Sequence, residues 1–135
     1  GRVFTRDWLR AHGLGGLRNL LKSELMPRWV AEIAERLTPV SRTWNGGNAS
    51  GWATDLREVN GFDESLGYGG EDVDIGFRLN QLGVRGRHAR YSVTVLHLHH
   101  DRPYVCPTVR DANIARVWSG RFSRSPRTRE GIVPA

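Results

Sequence analysis

The sequence predicts an α/β fold, and two segments carry that prediction. Residues 71–82 have the apolar spacing of an amphipathic helix, with Ile75, Leu79 and Leu82 on one face and Gly83 as a stop. Residues 92–98, Ser-Val-Thr-Val-Leu-His-Leu, alternate as a half-buried strand does. We therefore expect the strand of residues 93–98 to pack under the helix of residues 71–82.

The N-terminal region has helical periodicity and no residues that suggest chemistry. Thr5 is a suitable N-cap for a helix, and three glycines between residues 13 and 16 predict a break within residues 5–37. Pro27 suits the start of a second helix that Pro39 ends, with its apolar face formed by Val30, Ile33, Ala34 and Leu37. Packing is the expected role of this region.

The remaining elements follow in order along the chain. Residues 43–53 mix glycines, amides and two tryptophans, and Thr54 then caps a short helix over residues 55–60 that Gly61 ends. Residues 61–70 form a polar, glycine-rich loop. Thr108 opens a last helix that reaches about Ser119, and residues 121–135 are predicted to be a flexible basic tail.

Composition limits the classes of function. The 135 residues carry 20 Lys+Arg against 14 Asp+Glu, and all the cations except Lys22 are arginine. A basic surface suits nucleic acid, an anionic membrane or a phosphorylated substrate, but the cations are scattered and no nucleic-acid motif is present. One cysteine excludes an internal disulfide. With no apolar stretch of membrane-spanning length and no signal peptide, we expect a cytoplasmic protein, at the inner face of the membrane.

An acidic motif is the first candidate for chemistry. Gly69 and Gly70 precede Glu71, Asp72 and Asp74, which places three carboxylates at a helix N-terminus. An ionised carboxylate at the mouth of a pocket can accept a proton from an attacking hydroxyl. The alternative is that these acids only stabilise the first turn of the helix.

Two further clusters have functional and structural interpretations. His97, His99 and His100 end the predicted strand, and imidazoles there either bind a transition metal or are structural. No cysteine set or HExxH pattern points to zinc. Trp44, Asn45, Asn48 and Trp52 combine aromatic faces with amides, which is how proteins hold a sugar ring, although the tryptophans alternatively belong to the core.

Four motifs in order carry a resemblance to a known family. They are Gly-Gly-Asn at 46–48, Asn-Gly-Phe-Asp-Glu at 60–64, Gly-Gly-Glu-Asp-Val-Asp at 69–74, and a histidine-ended segment at 96–100. In this arrangement the chain resembles the C-terminal, acceptor-binding half of family 2 glycosyltransferases of the GT-A fold. It is similar there to the C-terminal domain of the beta-1,4-galactosyltransferases.

The resemblance implies a partial GT-A fold and a role for individual residues. Asp72 would be the general base, Glu71 an acceptor-binding carboxylate, and His97 or else His100 the ligand of a divalent metal, Mn²⁺ or Mg²⁺. The following residues would bind the substrates: Gly46, Gly47, Asn48, Trp52, Tyr68, Gly69 and Gly70. The implied reaction is an inverting hexosyl transfer from a nucleotide sugar, a UDP-sugar above all, to a glycan or lipid-linked acceptor in polysaccharide biosynthesis.

The resemblance also implies a domain organisation. Residues 1–42 would be a helical insertion, residues 43–120 the C-terminal half of the catalytic domain, and residues 121–135 the tail. No nucleotide-binding unit precedes Trp44, so we expect a fragment that does not transfer sugar alone. The alternatives are a non-catalytic carbohydrate-binding remnant, a metal-dependent hydrolase or a basic nucleic-acid-binding module. Contact with an anionic membrane is a further expectation.

Overall fold

The computed structural model describes residues 5–16, 27–39, 43–44, 46–93, 95, 101–122 and 125–133. The chain forms two compact units, each built from two segments. The first unit combines residues 1–41 with residues 88–98, and the second combines residues 42–87 with residues 99–135. The division of the catalytic region that was predicted from the resemblance stays a prediction.

The described residues form five α-helices and one 3-10 helix. The first unit contains α1 (Arg6–Ala11) and α2 (Arg28–Leu37). The second unit contains the others, which are α3 (Ala53–Glu58), the 3-10 helix Glu64–Leu66, α4 (Glu71–Gln81) and α5 (Pro107–Gly120). No helix among the described residues has both the length and the apolar character that crossing a bilayer requires.

The α/β prediction, and with it the partial GT-A fold, is wrong for this structure, since the described residues contain helices and no strand. Residues 84–89 have no regular structure, and Val93 N–H donates to Ala89 O in a turn. Of the predicted strand, only residues 92, 93 and 95 are described, and all three are exposed. Alternation is a local pattern, whereas a strand needs a neighbour to complete its hydrogen bonds. The described part of the chain supplies no such neighbour.

The first unit is held by capping and by polar contacts. Thr5 caps α1 by accepting from Trp8 N–H, as predicted, and the break after α1 has Gly13 at φ +71°. Glu35 lies in the last turns of α2, and its Oε1 accepts from the backbone N–H groups of Tyr91 and Ser92 at 3.2 and 3.0 Å. These bonds join α2 to the segment that follows residue 88.

The core of the second unit lies under α4. Val59, Ile75 and Leu79 are buried, and Trp44, Leu56, Leu82 and Val84 pack against them. Gly76 allows α4 to lie directly on the backbone of residues 43–44, because a Cβ there would stand 2.5 Å from Trp44 N and 2.9 Å from Thr43 Cα. This close approach brings the neighbouring glycine segment up to the first turn of α4.

A buried ion pair fixes α4 to the turn that precedes the 3-10 helix. Arg78 and Asp74 are 2% and 1% exposed, and Arg78 Nε donates to Asp74 Oδ2 at 2.7 Å. The other two guanidinium nitrogens donate to Val59 O and Gly61 O, each at 2.7 Å. Every arm of the guanidinium is therefore bound within the protein, which is what a buried cation requires.

Residues 125–133 pack on the same turn. Asn60 Nδ2 donates to Thr128 O and Val133 O, and Asn60 Oδ1 accepts from Val133 N–H. Backbone bonds run from Thr128 N–H to Val59 O and from Glu64 N–H to Glu130 O. The prediction of a flexible tail did not anticipate these bonds. We call residues 125–133 the C-terminal segment.

Candidate active site

The acidic motif opens onto a cleft of about 490 Å³ in the second unit. We call it the acidic cleft. Its lining residues are Gly46, Phe62, Asp63, Glu64, Gly67, Glu71 and Asp72. The lining comes from two parts of the chain: Gly46 with the first turn of α4, and the loop and 3-10 helix of residues 62–67. The structure therefore brings together the two carboxylates predicted to be catalytic and one of the glycines predicted beside them.

Asp72 is partly buried and its carboxylate is held by backbone donors. Gly46 N–H donates to Oδ2 at 3.4 Å, and Val73 N–H donates to Oδ1 at 2.7 Å. A Cβ on Gly46 would come within 3.5 Å of Asp72 Cβ. The glycine thus approaches the carboxylate closely while leaving its outer side open to the cleft.

Glu71 has an oxygen that lacks a hydrogen-bond partner. Its Oε2 is buried, and no donor among the described residues reaches it. A buried polar atom without a partner costs about 1–3 kcal/mol, so such atoms in native structures call for an explanation. Because Glu71 also lines the acidic cleft, a ligand hydroxyl in the cleft is a chemically suitable donor.

Phe62 is the cleft residue that sequence reasoning missed. Its side chain is 43% exposed in the cleft, and its ring meets the Trp44 ring edge-on at 6.4 Å. An exposed aromatic ring beside carboxylates is suited to the apolar face of a sugar. The signal was present in the motif at 60–64, where a large aromatic residue follows Asn60 and Gly61 in a turn with positive φ at both.

Asp63, next to Phe62, has a local structural role as well. Its Oδ1 accepts from Ser65 N–H at 3.1 Å and from Ser65 Oγ at 2.6 Å, which caps the 3-10 helix. The carboxylate is therefore fixed in place at the rim of the cleft.

The other predicted substrate-binding residues lie outside the cleft lining. Gly47 and Asn48 continue the exposed turn after Gly46, and Trp52 is 79% exposed at the start of α3. Tyr68 meets Tyr104 edge-on at 5.5 Å, and its backbone oxygen accepts from Asn113 Nδ2.

Gly69 and Gly70 are buried against α5 and have positive φ angles of +96° and +89°. A Cβ on Gly69 would stand 2.9 Å from Arg110 Cα, and one on Gly70 would stand 3.2 Å from Val117 Cγ2. These glycines let α4 begin directly beside α5. Their observed role is to position Glu71 and Asp72.

The charge of the acidic cleft is strongly negative. Four of its seven lining residues are Asp or Glu, and none is Arg, Lys or His. Carboxylates accept hydrogen bonds from sugar hydroxyls, but they repel the phosphates of a nucleotide. By this criterion the cleft suits an acceptor sugar better than a diphosphate.

Metal binding was predicted at His97 or His100, and both lie outside the described residues. Within the described ranges no three side chains of the His, Cys, Asp or Glu type converge in a way that could hold a metal ion. The metal assignment therefore stays a prediction.

A family model described as the N-terminal domain of galactosyltransferase matches residues 34–101, which is 68 of the 135 residues. The chain belongs to this galactosyltransferase family. The match spans the whole acidic cleft and ends before α5. No curated protein matches the chain, and no solved structure does.

Family membership identifies this galactosyltransferase-family chain as a glycosyltransferase domain, which in general terms implies a nucleotide-sugar donor and an acceptor. The resemblance to galactosyltransferases predicted from the motifs is thereby confirmed. The matched description names an N-terminal domain, so it does not support the expectation of a C-terminal half.

Proposed function

We propose that this chain binds the acceptor in an inverting, metal-dependent glycosyltransferase that moves a hexose from a UDP-sugar to a glycan or lipid-linked acceptor. The observation that carries the proposal is that Glu71, Asp72 and the exposed ring of Phe62 all line the acidic cleft. This arrangement offers a base, a hydroxyl acceptor and a stacking surface within one cleft.

Asp72 acts as the general base in this proposal. Its carboxylate takes the proton of an acceptor hydroxyl while that oxygen forms a bond to the anomeric carbon of the donor sugar. The bond from the anomeric carbon to the diphosphate breaks on the opposite face, and the nucleoside diphosphate leaves with the electron pair. The base must come within about 3 Å of the attacking oxygen. The Gly46 and Val73 N–H groups hold the carboxylate in orientation for this transfer.

Glu71 and Phe62 bind the acceptor sugar. A sugar hydroxyl in the cleft donates to the carboxylate of Glu71, which is one of the lining residues. The apolar face of the ring packs on Phe62, which fixes the depth at which the sugar sits. Binding by these two groups brings the reactive hydroxyl to Asp72 and makes the transfer effectively unimolecular.

A divalent metal, Mn²⁺ or Mg²⁺, remains part of the proposal, with His97 or His100 as its protein ligand. When bound, such an ion would neutralise the charge that develops on the departing diphosphate. Its test is a manganese titration of transfer activity, in which His97→Ala weakens the metal dependence if His97 is the ligand. Unchanged titration curves for both His97→Ala and His100→Ala would refute this assignment.

The main experiment separates chemistry from binding. In the full-length protein, with a panel of UDP-hexoses that includes UDP-galactose, Asp72→Asn should lower kcat by a factor of about 10²–10⁴ with little change in the KM for the acceptor. Glu71→Gln should mainly raise that KM, because the amide keeps an acceptor oxygen but loses the charge. Glu58→Gln, an exposed acid on α3, is the matched control.

The results of this experiment discriminate among the alternatives. Normal turnover by the Asp72→Asn enzyme would refute the assignment of the base. Binding of acceptor sugars without any transfer would favour a carbohydrate-binding remnant. Release of free sugar from the UDP-hexose in the absence of acceptor would favour a hydrolase.

We also propose that the protein works in the cytoplasm, in peripheral contact with an anionic membrane. The end of α5 supports this, because the Phe122 and Trp118 side chains are 85% and 44% exposed and the Arg121 guanidinium lies over both rings. Aromatic rings beside arginine suit the headgroup region of a bilayer. Co-sedimentation with phosphatidylglycerol vesicles should exceed that with phosphatidylcholine vesicles and should fall in Phe122→Ser; equal sedimentation with both lipids would contradict the proposal.

A further inference from the structure

A second cleft lies on the other side of Asp63, the residue that lines both clefts. It has a volume of about 340 Å³. Its lining includes three exposed arginines, Arg116, Arg127 and Arg129, and we call it the arginine cleft. Because the two clefts share Asp63 in their linings, they are neighbours, and one ligand can extend from one cleft into the other.

The three arginines are placed by elements that are fixed. Arg116 is on α5, and Arg127 and Arg129 are on the C-terminal segment. That segment is bound on both sides of Arg129, through Thr128 N–H to Val59 O at 3.2 Å and through Glu130 O from Glu64 N–H at 2.9 Å. The backbone that carries Arg127 and Arg129 is thus set before a ligand binds, which reduces the entropy lost on binding.

Two of the arginines, Arg127 and Arg129, retain donors that can serve a ligand. Arg127 uses Nη1 for its bonds to Arg57 O and Glu58 O, at 3.0 and 3.2 Å. The Arg129 side chain makes no hydrogen bond or ion pair with any described residue. Arg116 Nη2 donates to Ser65 Oγ at 2.8 Å, which brings that guanidinium to the 3-10 helix that also contributes Glu64 to the acidic cleft. Guanidinium groups bind phosphate oxygens through charge-assisted and often bidentate hydrogen bonds.

The two neighbouring clefts differ in charge. The acidic cleft has four carboxylates and no cation in its lining. The lining of the arginine cleft contains three exposed arginines and the carboxylates of Asp63 and Glu130. Its fourth arginine, Arg78, is buried and paired with Asp74. Together they match a ligand that has neutral hydroxyls at one end and an anionic group at the other.

We infer that the acceptor carries a phosphate next to the sugar that receives the hexose, and that Arg116, Arg127 and Arg129 bind this phosphate. The inference rests on the proposed function, because it places the acceptor sugar in the acidic cleft. These three arginines lie beyond residue 101, where the family match ends. An acceptor that carries this phosphate is a sugar phosphate, such as a glycan joined to a lipid through phosphate or diphosphate.

The test measures direct binding to the 135-residue chain by isothermal titration calorimetry. The probes are hexose 1-phosphates and the methyl glycosides of the same hexoses. The hexose 1-phosphates should bind about tenfold more tightly, and Arg129→Gln should remove most of that difference. Arg85→Gln is the matched control, because Arg85 is an exposed arginine of the same unit that lines neither cleft, and it should retain the difference. Equal affinity for both classes of probe, or an equal loss in the Arg85→Gln control, would overturn the inference.

Two further measurements complete the test. The first asks whether the arginine cleft binds the phosphate of the acceptor or that of the donor, and the second tests the phosphate site independently of the base assignment. In the full-length protein, UDP should bind Arg129→Gln as tightly as the wild type; a loss equal to that of the hexose 1-phosphates would assign the arginine cleft to the donor and refute the acceptor assignment. Asp72→Asn should keep the preference for hexose 1-phosphates. If the Asp72→Asn enzyme keeps normal turnover while Arg129→Gln abolishes the preference, the base assignment fails and the phosphate site stands.

Discussion

Replacing Arg78 tests how the acidic cleft is held together. Arg78→Met keeps much of the side-chain volume and removes the charge and all three guanidinium hydrogen bonds, to Asp74 Oδ2, Val59 O and Gly61 O. Asp74 then remains buried, at 1% exposure, without its cation. Removing one member of a buried ion pair costs about 3–5 kcal/mol. This is a large part of the roughly 5–15 kcal/mol by which folded domains are stable.

A double variant separates the charge from the other contacts. In Arg78→Met with Asp74→Leu no buried charge is left, and Val59 O keeps a donor in Thr128 N–H. Gly61 O loses the Arg78 donor, so we expect a cost of about 1–3 kcal/mol, less than that of Arg78→Met alone. Replacing both members of such a pair by apolar groups is often neutral or stabilising.

The assay is urea unfolding followed by tryptophan fluorescence, with Trp44 in the core as one reporter. Arg85→Met on the exposed surface should change the free energy of unfolding by no more than about 0.5 kcal/mol. A loss below about 1 kcal/mol in Arg78→Met would refute the argument, since the buried ion pair would then contribute little to holding the turn. A double variant less stable than Arg78→Met would also refute it.

Three further predictions concern other contacts. Asn60→Ala should lower the free energy of unfolding by about 2–4 kcal/mol, because it removes three hydrogen bonds to the C-terminal segment and places alanine at φ +63°; urea unfolding measures it. Gly70→Ala should cost about 1–3 kcal/mol in the same assay, since the residue has φ +89° and its Cβ would meet Val117 at 3.2 Å. The hydrogen bond from the Thr108 side chain lowers the pKa of the Cys106 thiol, so iodoacetamide should alkylate it at a lower pH than an ordinary cysteine, and Thr108→Val should raise that pH.

Each of these three predictions has its own control or its own contrary outcome. Gly16→Ala has open space and an ordinary φ, so it should be nearly neutral; an equal loss at Gly16 and Gly70 would remove the packing argument. If the C-terminal segment resists proteolysis as well in Asn60→Ala as in the wild type, the Asn60 side chain does not hold that segment in place. For the thiol, the deprotonated form reacts and its fraction rises through the lowered pKa as pH increases. A Thr108→Val chain with the same pH profile would show that Thr108 is not the cause.

The helix that carries the acidic motif could be predicted from the sequence to within one residue. Its limits are Glu71 and Gln81, against the predicted 71–82. The information was local, because two glycines with positive φ precede it and Gly83 follows it with φ +82°. The position of Glu71 and Asp72 in its first turn follows from the same local pattern.

The prediction of a strand was wrong because the alternating pattern at residues 92–98 does not show which segment would pair with that strand. The buried pair of Asp74 and Arg78 was missed for a different reason, since charged residues on a helix are usually solvated. Their i, i+4 spacing was a usable signal for contact between them. The burial of that contact depends on Val59 and Gly61, which lie 19 and 17 residues away from Arg78 along the chain.

The arginine cleft could not be predicted from the sequence at all. Two of its arginines lie in the segment that composition marked as a flexible tail, and proline, serine and arginine do predict disorder in isolation. The segment is ordered by Asn60, whose side-chain bonds to it join residues 68 and 73 positions apart. Neither periodicity nor a local motif predicts contacts between residues so far apart in the sequence.

The long span of those bonds has a consequence for synthesis on the ribosome. The walls of the acidic cleft come from residues 46–72, whereas Arg127 and Arg129 are translated more than 50 residues later. Closing a loop of this length is entropically costly and comes late in folding. The nascent chain should therefore acquire its sugar-binding walls before its anion-binding wall, and a newly made molecule should become able to discriminate phosphorylated ligands only after residues 127–129 have left the exit tunnel.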